Sequence, residues 1–531
     1  MARLKALKLA CAGGAAALGL ASSPALAADC SALASLSLPG GKVTSAELVA
    51  AGKFQAPSNP MGPPPGVGPG AYSSLPAFCR VQATLTPSDD SDIKVEVWLP
   101  ATGWNGKYVG IGNGIWAGQL SLTQLGEPLS RGYAVATTDT GHAGTGLTAD
   151  FAIGHPEKLV DFGHRAVHEM TVAAKRTIAA FYGKGPKLSF WNSCSTGGRQ
   201  GLMEAYRYPE DYDAISAMAP ANPMTDLMAQ SMWAGMQAHR SPGAALSMPK
   251  LSLLHKAVVA QCDKLDGLAD GLIGRPNAYG FDPATIQCKA GDGADCLTAE
   301  QVGTARALYG GVRDPRSGAQ LLPGWPVGSE MQLAMLIGAP QPFPVALTYY
   351  SMLVFGDRQG WDFKTFDFAR DTRIGRDYGA AILDVPYDGL GPFFARGGKL
   401  LMSHGWTDGL IPANNSLQFY RGLYGALPLE AAQRQLRLFM VPGMDHCGGG
   451  EGASTFDTLG TLEAWASGGP APSRIIATRG GVGALPAAPG APALPPISRP
   501  LCPYPLYAKY DGEGDQADAA NFACVAPDKE T

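Results

Sequence analysis

Between Lys187 and Tyr206 an apolar run (Leu188, Ser189, Phe190, Trp191) meets Asn192-Ser193-Cys194-Ser195-Thr196-Gly197-Gly198-Arg199-Gln200-Gly201. A helical pattern through Leu202, Met203, Ala205 and Tyr206 follows. A strand, an abrupt turn of small residues and a helix, in that order, are the layout of a nucleophile elbow, which holds a serine on a strained turn at the end of a strand. Such a turn thrusts the Ser195 hydroxyl into a cleft. The first turn of the helix then offers backbone N–H groups to a developing anion. Serine and glycine are also ordinary turn residues, so the weight rests on the flanking elements and on Cys194.

The surrounding chain fits a sheet of that kind. Ile93-Lys94-Val95-Glu96-Val97-Trp98-Leu99-Pro100 alternates as a half-buried strand does. Lys107 to Ile111 and Tyr133 to Thr138 read as further strands, as do Tyr212 to Pro220, Gly398 to Gly405 and Leu436 to Pro442. Helical spacing at Val167, Met170, Thr171, Ala174 and Ile178 precedes the elbow strand. Strands alternating with helices predict an α/β protein with a parallel, helix-flanked sheet, whose site lies outside the carboxyl ends of its strands. The Gly112–Gly118 loop (Gly112-Asn113-Gly114-Ile115-Trp116-Ala117-Gly118) lies at such an end, and its glycines allow a close backbone approach to a ligand. From about Met224 to Arg396 the βα rhythm gives way to Met- and Trp-containing helical stretches and Pro-punctuated loops, which reads as an inserted lid. Four segments result: 1–27, 28–224 as the first part of the body, 225–396 as the lid, and 397–531 as the second part.

Residues 1–27 are set apart by their composition. Arg3, Lys5 and Lys8, an apolar centre from Leu9 to Leu20 and Ala25-Leu26-Ala27 look like a cleavable export signal. The predicted location is therefore secreted or periplasmic, with no membrane association after cleavage. A net charge of -4 without any basic run argues against nucleic acid as a partner. Removing Cys11 from the ten cysteines leaves nine, at 30, 79, 194, 262, 288, 296, 447, 502 and 524. In an oxidising compartment most of these should pair, and the odd number leaves at least one free thiol or an intermolecular bond. Cys288 with Cys296 and Cys502 with Cys524 are the natural short loops. A Cys30–Cys79 bond would pin a loose, Pro/Gly-rich N-terminal extension.

A serine nucleophile needs a general base, and the base needs an orienting carboxylate. His446 lies in Gly443-Met444-Asp445-His446-Cys447-Gly448-Gly449-Gly450, after the last strand read. Asp408 lies in His404-Gly405-Trp406-Thr407-Asp408-Gly409, after the strand before it. Either alone reads as an ordinary loop residue; together they give the chain order Ser, Asp, His of α/β-hydrolases. Were Ser195 and His446 in hydrogen-bond reach, their neighbours Cys194 and Cys447 could meet the ~5.5–6 Å Cα spacing of a disulfide. In the lid, Asp263-Lys264-Leu265-Asp266-Gly267-Leu268-Ala269-Asp270-Gly271-Leu272 brings three carboxylates together at short spacing. That suits Ca²⁺, a hard cation that takes carboxylate and carbonyl oxygens. It is not an EF-hand, and a plain run of Asp-Gly turns is the alternative.

The Cys-Ser…Asp…His-Cys arrangement resembles the tannase and feruloyl esterase family, which includes a mono(2-hydroxyethyl) terephthalate hydrolase. The resemblance spans essentially the whole mature chain. It is carried by Cys194 to Gly201, Tyr208-Pro209-Glu210-Asp211-Tyr212-Asp213, Val441 to Cys447 and Arg499-Pro500-Leu501-Cys502-Pro503-Tyr504-Pro505. It implies an α/β-hydrolase fold with a large inserted lid and a secreted carboxylic ester hydrolase acting on small aromatic esters. Ser195 would be the nucleophile, His446 the base and Asp408 its orienter. The oxyanion donors would be the Thr196 N–H and one from Gly112–Asn113. The resemblance also favours structural calcium held by Asp263, Asp266 and Asp270 with the carbonyls of Leu268 and Leu272. Two departures stand out. Ser193 replaces the glycine usual two residues before the nucleophile, and the lid lacks the cysteine that pairs with Cys262 in relatives, which leaves Cys262 unpaired. Trp233, Tyr349, Tyr350 and Trp361 could line an aryl pocket or form lid core. Ile411, where the terephthalate-ester member carries an aromatic residue, tilts the reading towards plant phenolic esters. A serine peptidase and a calcium-stabilised exported binding protein with a vestigial triad are the alternatives.

Overall fold

The structure is a computed structural model of the 531-residue chain. It describes residues 29–57, 70, 72–356, 361–479 and 494–527. The export signal expected at 1–27, most of the Pro57–Gly70 loop and most of the Ala/Pro/Gly-rich run at 480–500 lie outside the described residues.

One ten-stranded sheet organises the fold. Its strands are β1 (Ser37–Leu38), β2 (Gly41–Val49), β3 (Phe78–Leu85), β4 (Ile93–Pro100), β5 (Lys107–Ile111), β6 (Ala134–Thr138), β7 (Leu188–Cys194), β8 (Ala214–Met218), β9 (Lys399–Gly405) and β10 (Leu436–Val441), in the spatial order β1-β2-β3-β4-β6-β5-β7-β8-β9-β10. From β6 through β10 neighbouring strands are parallel. β1 to β4 form an antiparallel meander joined to β6. Central strands are buried on both faces, as a helix-covered parallel sheet requires. Successive residues enter opposite cores: Tyr108, Trp191, Leu400 and Leu438 one side, Val109, Phe190, Leu401 and Phe439 the other. The helix Ala166–Tyr182 and the elbow helix Thr196–Arg207 cover the first face, and Leu459, Leu462 and Trp465 of the helix Thr458–Ala466 cover the second.

The N-terminal segment differs from the loose extension expected. It supplies three strands of the main sheet, and Cys30–Cys79 fastens it to β3. β2 is half-exposed, so its sequence carries little apolar alternation; pairing with β3 rather than burial defines it as a strand. Beyond β10 two small antiparallel pairs, Ile475–Arg479 with Ile497–Leu501 and Tyr507–Tyr510 with Phe522–Val525, extend the body.

β8 and β9 are adjacent, yet some 180 residues separate them. Among the described residues this insert contributes no strand to the main sheet. It is built from helices, among them Met224–Ala238, Met248–Cys262, Ala299–Gly310, Glu330–Ile337 and Phe368–Leu383, and one two-stranded pair, Val312–Arg313 with Gln320–Leu322. It has its own core around Leu251, Leu254, Leu308, Trp325 and Leu333. A second cluster joins insert residues Met224, Leu227, Tyr349 and Tyr350 to Trp116 and Phe162 of the body, so insert and sheet share an interior. Among the described residues no helix is long and apolar enough to cross a membrane.

Among the described residues four disulfides form: Cys30–Cys79, Cys194–Cys447, Cys288–Cys296 and Cys502–Cys524. Cys262 is free and buried at the end of its helix.

Candidate active site

Ser195 stands between the last residue of β7 and the first of the elbow helix with φ 64° and ψ -127°. A positive φ in a non-glycine residue stores strain, of order 1–3 kcal/mol, and is held only by firm surroundings. The next residues show how it is held. A Cβ on Gly197 would lie 2.1 Å from Ser193 Oγ, and one on Gly198 would lie 2.6 Å from the Met218 carbonyl. Only glycines let the helix start this close to β7 and β8. Ser193 itself fits: its buried hydroxyl accepts the Gly112 N–H at 3.3 Å and so ties the elbow to the neighbouring strand end.

The loops after β9 and β10 leave the same edge of the sheet as the elbow. Ser195 Oγ lies 3.0 Å from His446 Nε2, and His446 Nδ1 lies 2.7 Å from Asp408 Oδ2. Asp408 is fully buried, and its Oδ1 accepts the N–H groups of Leu410 and Ile411, both at 2.9 Å. Its Oδ2 also lies 3.1 Å from Nε2 of the buried His404, whose other ring nitrogen meets Ser416 Oγ at 2.7 Å. Burial alone would push the Asp408 carboxyl up. The charge of His446 and the bonds from His404 and His446 outweigh it and hold the group far below the usual carboxylate range. Burial would lower His446, but the facing Asp408 carboxylate overrides it and raises the imidazole pKa. A hydroxyl, an imidazole and a buried carboxylate so arranged can activate the hydroxyl and stabilise the imidazolium that forms. His404 was not singled out by sequence; its place four residues before Asp408 was the available signal.

Cys194 and Cys447 flank the relay and bridge it with a Cα separation of 5.8 Å across 253 residues. In the loop expected to supply a second oxyanion donor, both named N–H groups have partners within the protein. The Gly112 N–H goes to Ser193 Oγ, and the Asn113 N–H goes to Gln200 Oε1 at 3.0 Å. Side chains of the elbow itself occupy both donors. Thr196 opens the elbow helix, where the first N–H groups have no intrahelical partner, and its hydroxyl donates to the Ile115 carbonyl at 2.9 Å. Ile115, at φ 44°, lines the same cavity as Ser195, Thr196 and His446.

That cavity is apolar. Met224, Leu227, Leu336, Phe343, Val345 and Ile411 contribute to its wall, and among the described residues Ser231 is the only polar side chain there apart from Ser195, Thr196 and His446. Trp233, Tyr349, Tyr350 and Trp361 are not among the lining; Tyr349 and Tyr350 are insert core.

The acidic loop is arranged differently. Asp263 accepts the N–H groups of Asp270 and Gly271, Asp266 those of Leu268 and Gly274, and Asp270 that of Leu272. Burial, with a contribution from Asp270, raises the Asp263 carboxyl and pushes Asp266 up to about 6. Oxygen donors of this type fit a hard divalent cation, and Leu268 and Leu272 lie beside Asp266 and Asp270 around one small cavity. The three carboxylates do not gather within 4.8 Å of one another, and Arg499 Nη2 holds Asp270 Oδ2 at 2.6 Å. Elsewhere, among the described residues, His168, Glu204 and Asp211 do gather so closely. There Lys175 lies beside Asp211, and burial with the neighbouring Asp211 raises the Glu204 carboxyl well above its ordinary range.

Comparison with known proteins accords with this geometry. The family described as tannase and feruloyl esterase matches over residues 79–525. A probable feruloyl esterase B of Aspergillus clavatus is 31% identical, covering 99% of this chain and 100% of its own length. The mono(2-hydroxyethyl) terephthalate hydrolase of Piscinibacter sakaiensis is 31% identical, covering 86% of each chain. The crystal structure of feruloyl esterase B from Aspergillus oryzae superposes with a TM-score of 0.83 at 26% identity, over 93% of this chain and 99% of that one. With an α/β-hydrolase sheet, a Ser–His–Asp relay at its carboxyl edge and these relatives, the chain belongs to the tannase and feruloyl esterase family and is a carboxylic ester hydrolase.

Proposed function

We propose that this protein is an exported serine esterase that cleaves aromatic-acid esters through an acyl-enzyme. The observation that carries the reading is the relay itself: Ser195 Oγ, His446 and Asp408 in line at 3.0 and 2.7 Å, with Ser195 opening onto an apolar cavity. Ser195 Oγ attacks the ester carbonyl carbon while His446 Nε2 takes its proton. The carbonyl oxygen becomes an oxyanion, held by the N–H of Thr196 and that of Ile115. The C–O bond to the alcohol breaks as His446 returns the proton to the leaving oxygen. Water then attacks the acyl-enzyme by the same route in reverse, with His446 again as base, and releases the acid and Ser195.

The cavity supports a neutral aryl acyl group. A terephthalate monoester would bring a free carboxylate against a wall whose described residues include no Lys or Arg to pair with it, and an unpaired buried charge is costly. Feruloyl-type esters fit this lining better. Four disulfides and the amino-terminal composition support export. For the acidic loop we propose structural calcium, with Asp263, Asp266 and Asp270 and the carbonyls of Leu268 and Leu272 as ligands. The cation would neutralise the clustered carboxylates and brace the insert, apart from the chemistry.

Hydrolysis of methyl ferulate, methyl gallate and mono- and bis-hydroxyethyl terephthalate by wild type and Ser195→Ala tests the reading. Methyl ferulate should be turned over fastest, and kcat should fall about 10⁶-fold in the variant. Turnover unchanged in Ser195→Ala would overturn the mechanism. A preference for the mono-hydroxyethyl ester would overturn the neutral-acyl assignment alone.

A further inference from the structure

The helix Glu330–Ile337 of the insert reaches the relay through one side chain. Gln332 Oε1 accepts the His446 N–H at 3.0 Å and the Gly409 N–H at 3.2 Å. Both partners are donors, so the amide oxygen and not the NH₂ must face them. Gly409 directly follows Asp408, so one oxygen ties the backbone of the imidazole residue to the backbone beside the carboxylate. The approach is close: a Cβ on Gly409 would lie 2.6 Å from the Gln332 Cβ and carbonyl carbon. The start of the helix is itself anchored. Buried Glu330 accepts the Tyr309 hydroxyl and the Gly328 N–H and meets His255 Nδ1 at 2.8 Å. One turn beyond Gln332, on the same helix face, Leu336 lines the acyl cavity.

We propose that Gln332 is a positioning residue for ester hydrolysis, setting the Asp408 and His446 loops against each other from the insert side. The inference rests on the roles given above to Ser195, Asp408 and His446. These loops follow different strands, and small errors in their spacing matter because proton transfer needs near-attack geometry. Thr407 ties the loops within the body, its Oγ1 donating to Asp445 Oδ1 at 2.9 Å and its N–H to the Met444 carbonyl at 3.2 Å. Gln332 adds a tie from outside the body, from the element that also walls the acyl cavity. The insert thereby contributes to turnover as well as to substrate fit.

Gln332→Leu keeps the bulk and removes the acceptor. On methyl ferulate we expect kcat to fall about tenfold or more, with KM changed less than about twofold. Gln332→Glu restores both acceptors and should recover kcat to within about threefold of wild type on the pH plateau. Its acid limb should move to higher pH. His446 already faces Asp408 and Asp445, with Glu451 and His255 acting on Asp445 from further out, and a third carboxylate beside the imidazole favours its protonated form. Circular dichroism and melting on the same samples give the folded fraction. Wild-type kcat in Gln332→Leu, a loss confined to KM or to the folded fraction, or a loss that Glu does not restore would each overturn the inference. Ser195→Ala run alongside separates the two levels. If it is inactive while Gln332→Leu is normal, only the role of Gln332 falls. If it stays active, the relay reading falls and this inference with it.

Discussion

The relay and the acidic loop are both groups of three polar side chains, and they are assembled in opposite ways. Ser195 and His446 stand 251 residues apart and meet at 3.0 Å. Asp263, Asp266 and Asp270 stand within eight residues, yet their carboxylates turn to nearby backbone N–H groups and to Arg499. Nearness in sequence favours local turns, because a short Asp side chain finds the N–H two residues on before it finds another carboxylate. Like charges also repel, whereas in the relay each group answers the charge or proton of the next. Distant residues converge here because parallel strands deliver their following loops to one edge of the sheet. A sequence cluster marks a site only when something outside the cluster draws it together; for the acidic loop, we propose, that is a cation.

The contrast can be broken most sharply at Asp408. Asp408→Asn should lower kcat about 10⁴-fold by removing the charge that orients and stabilises the imidazolium. It should also move the acid limb of whatever activity remains. In wild type Asp408 raises the His446 pKa, so the active neutral imidazole is lost as pH falls through a value above the ordinary one. Without that charge the loss should occur at lower pH, and a limb unmoved in kcat/KM against pH would contradict the assignment. Next in size is the long-range staple. Replacing Cys194 and Cys447 together by alanine should cost about 2–5 kcal/mol of stability, read as a lower melting temperature. The same double replacement at Cys288 and Cys296, which closes a short loop, should cost less. Equal losses would count against loop length as the cause. The smallest effect belongs to the acidic loop. Chelation should lower the melting temperature by a few degrees while kcat on methyl ferulate, measured below the transition, stays within about twofold. Asp266→Asn should remove the difference between chelated and calcium-loaded protein, and melting curves indifferent to calcium would sink the metal proposal.

Much of the site was legible because its chemistry sits in local motifs. The elbow announces itself through β7, Ser195 and the glycines that permit the helix to start beneath it. Asp408 and His446 each follow an apolar strand, and the cysteines beside Ser195 and His446 mark which loops meet. Departures arose where a backbone group's partner comes from elsewhere. Gly112 and Asn113 have the right loop for an oxyanion hole, but Ser193 Oγ and Gln200 Oε1 engage their N–H groups. The strand at Gly41–Val49 was hidden for a similar reason: half-exposed β2 is defined by its hydrogen-bonded neighbour more than by its own pattern.

The sequence by itself determined the βα alternation, the elbow serine and the order Ser, Asp, His, since each depends on side-chain chemistry within a few residues of a strand end. Only the tertiary structure decided that Ser193 and Gln200 engage the Gly112 and Asn113 N–H groups, that His404 shares the Asp408 carboxylate, that apolar side chains of the insert wall the cavity at Ser195, and that Gln332 reaches across from the insert. These are distances between elements far apart in the chain. They depend on how helices pack over the sheet, and no local pattern encodes them.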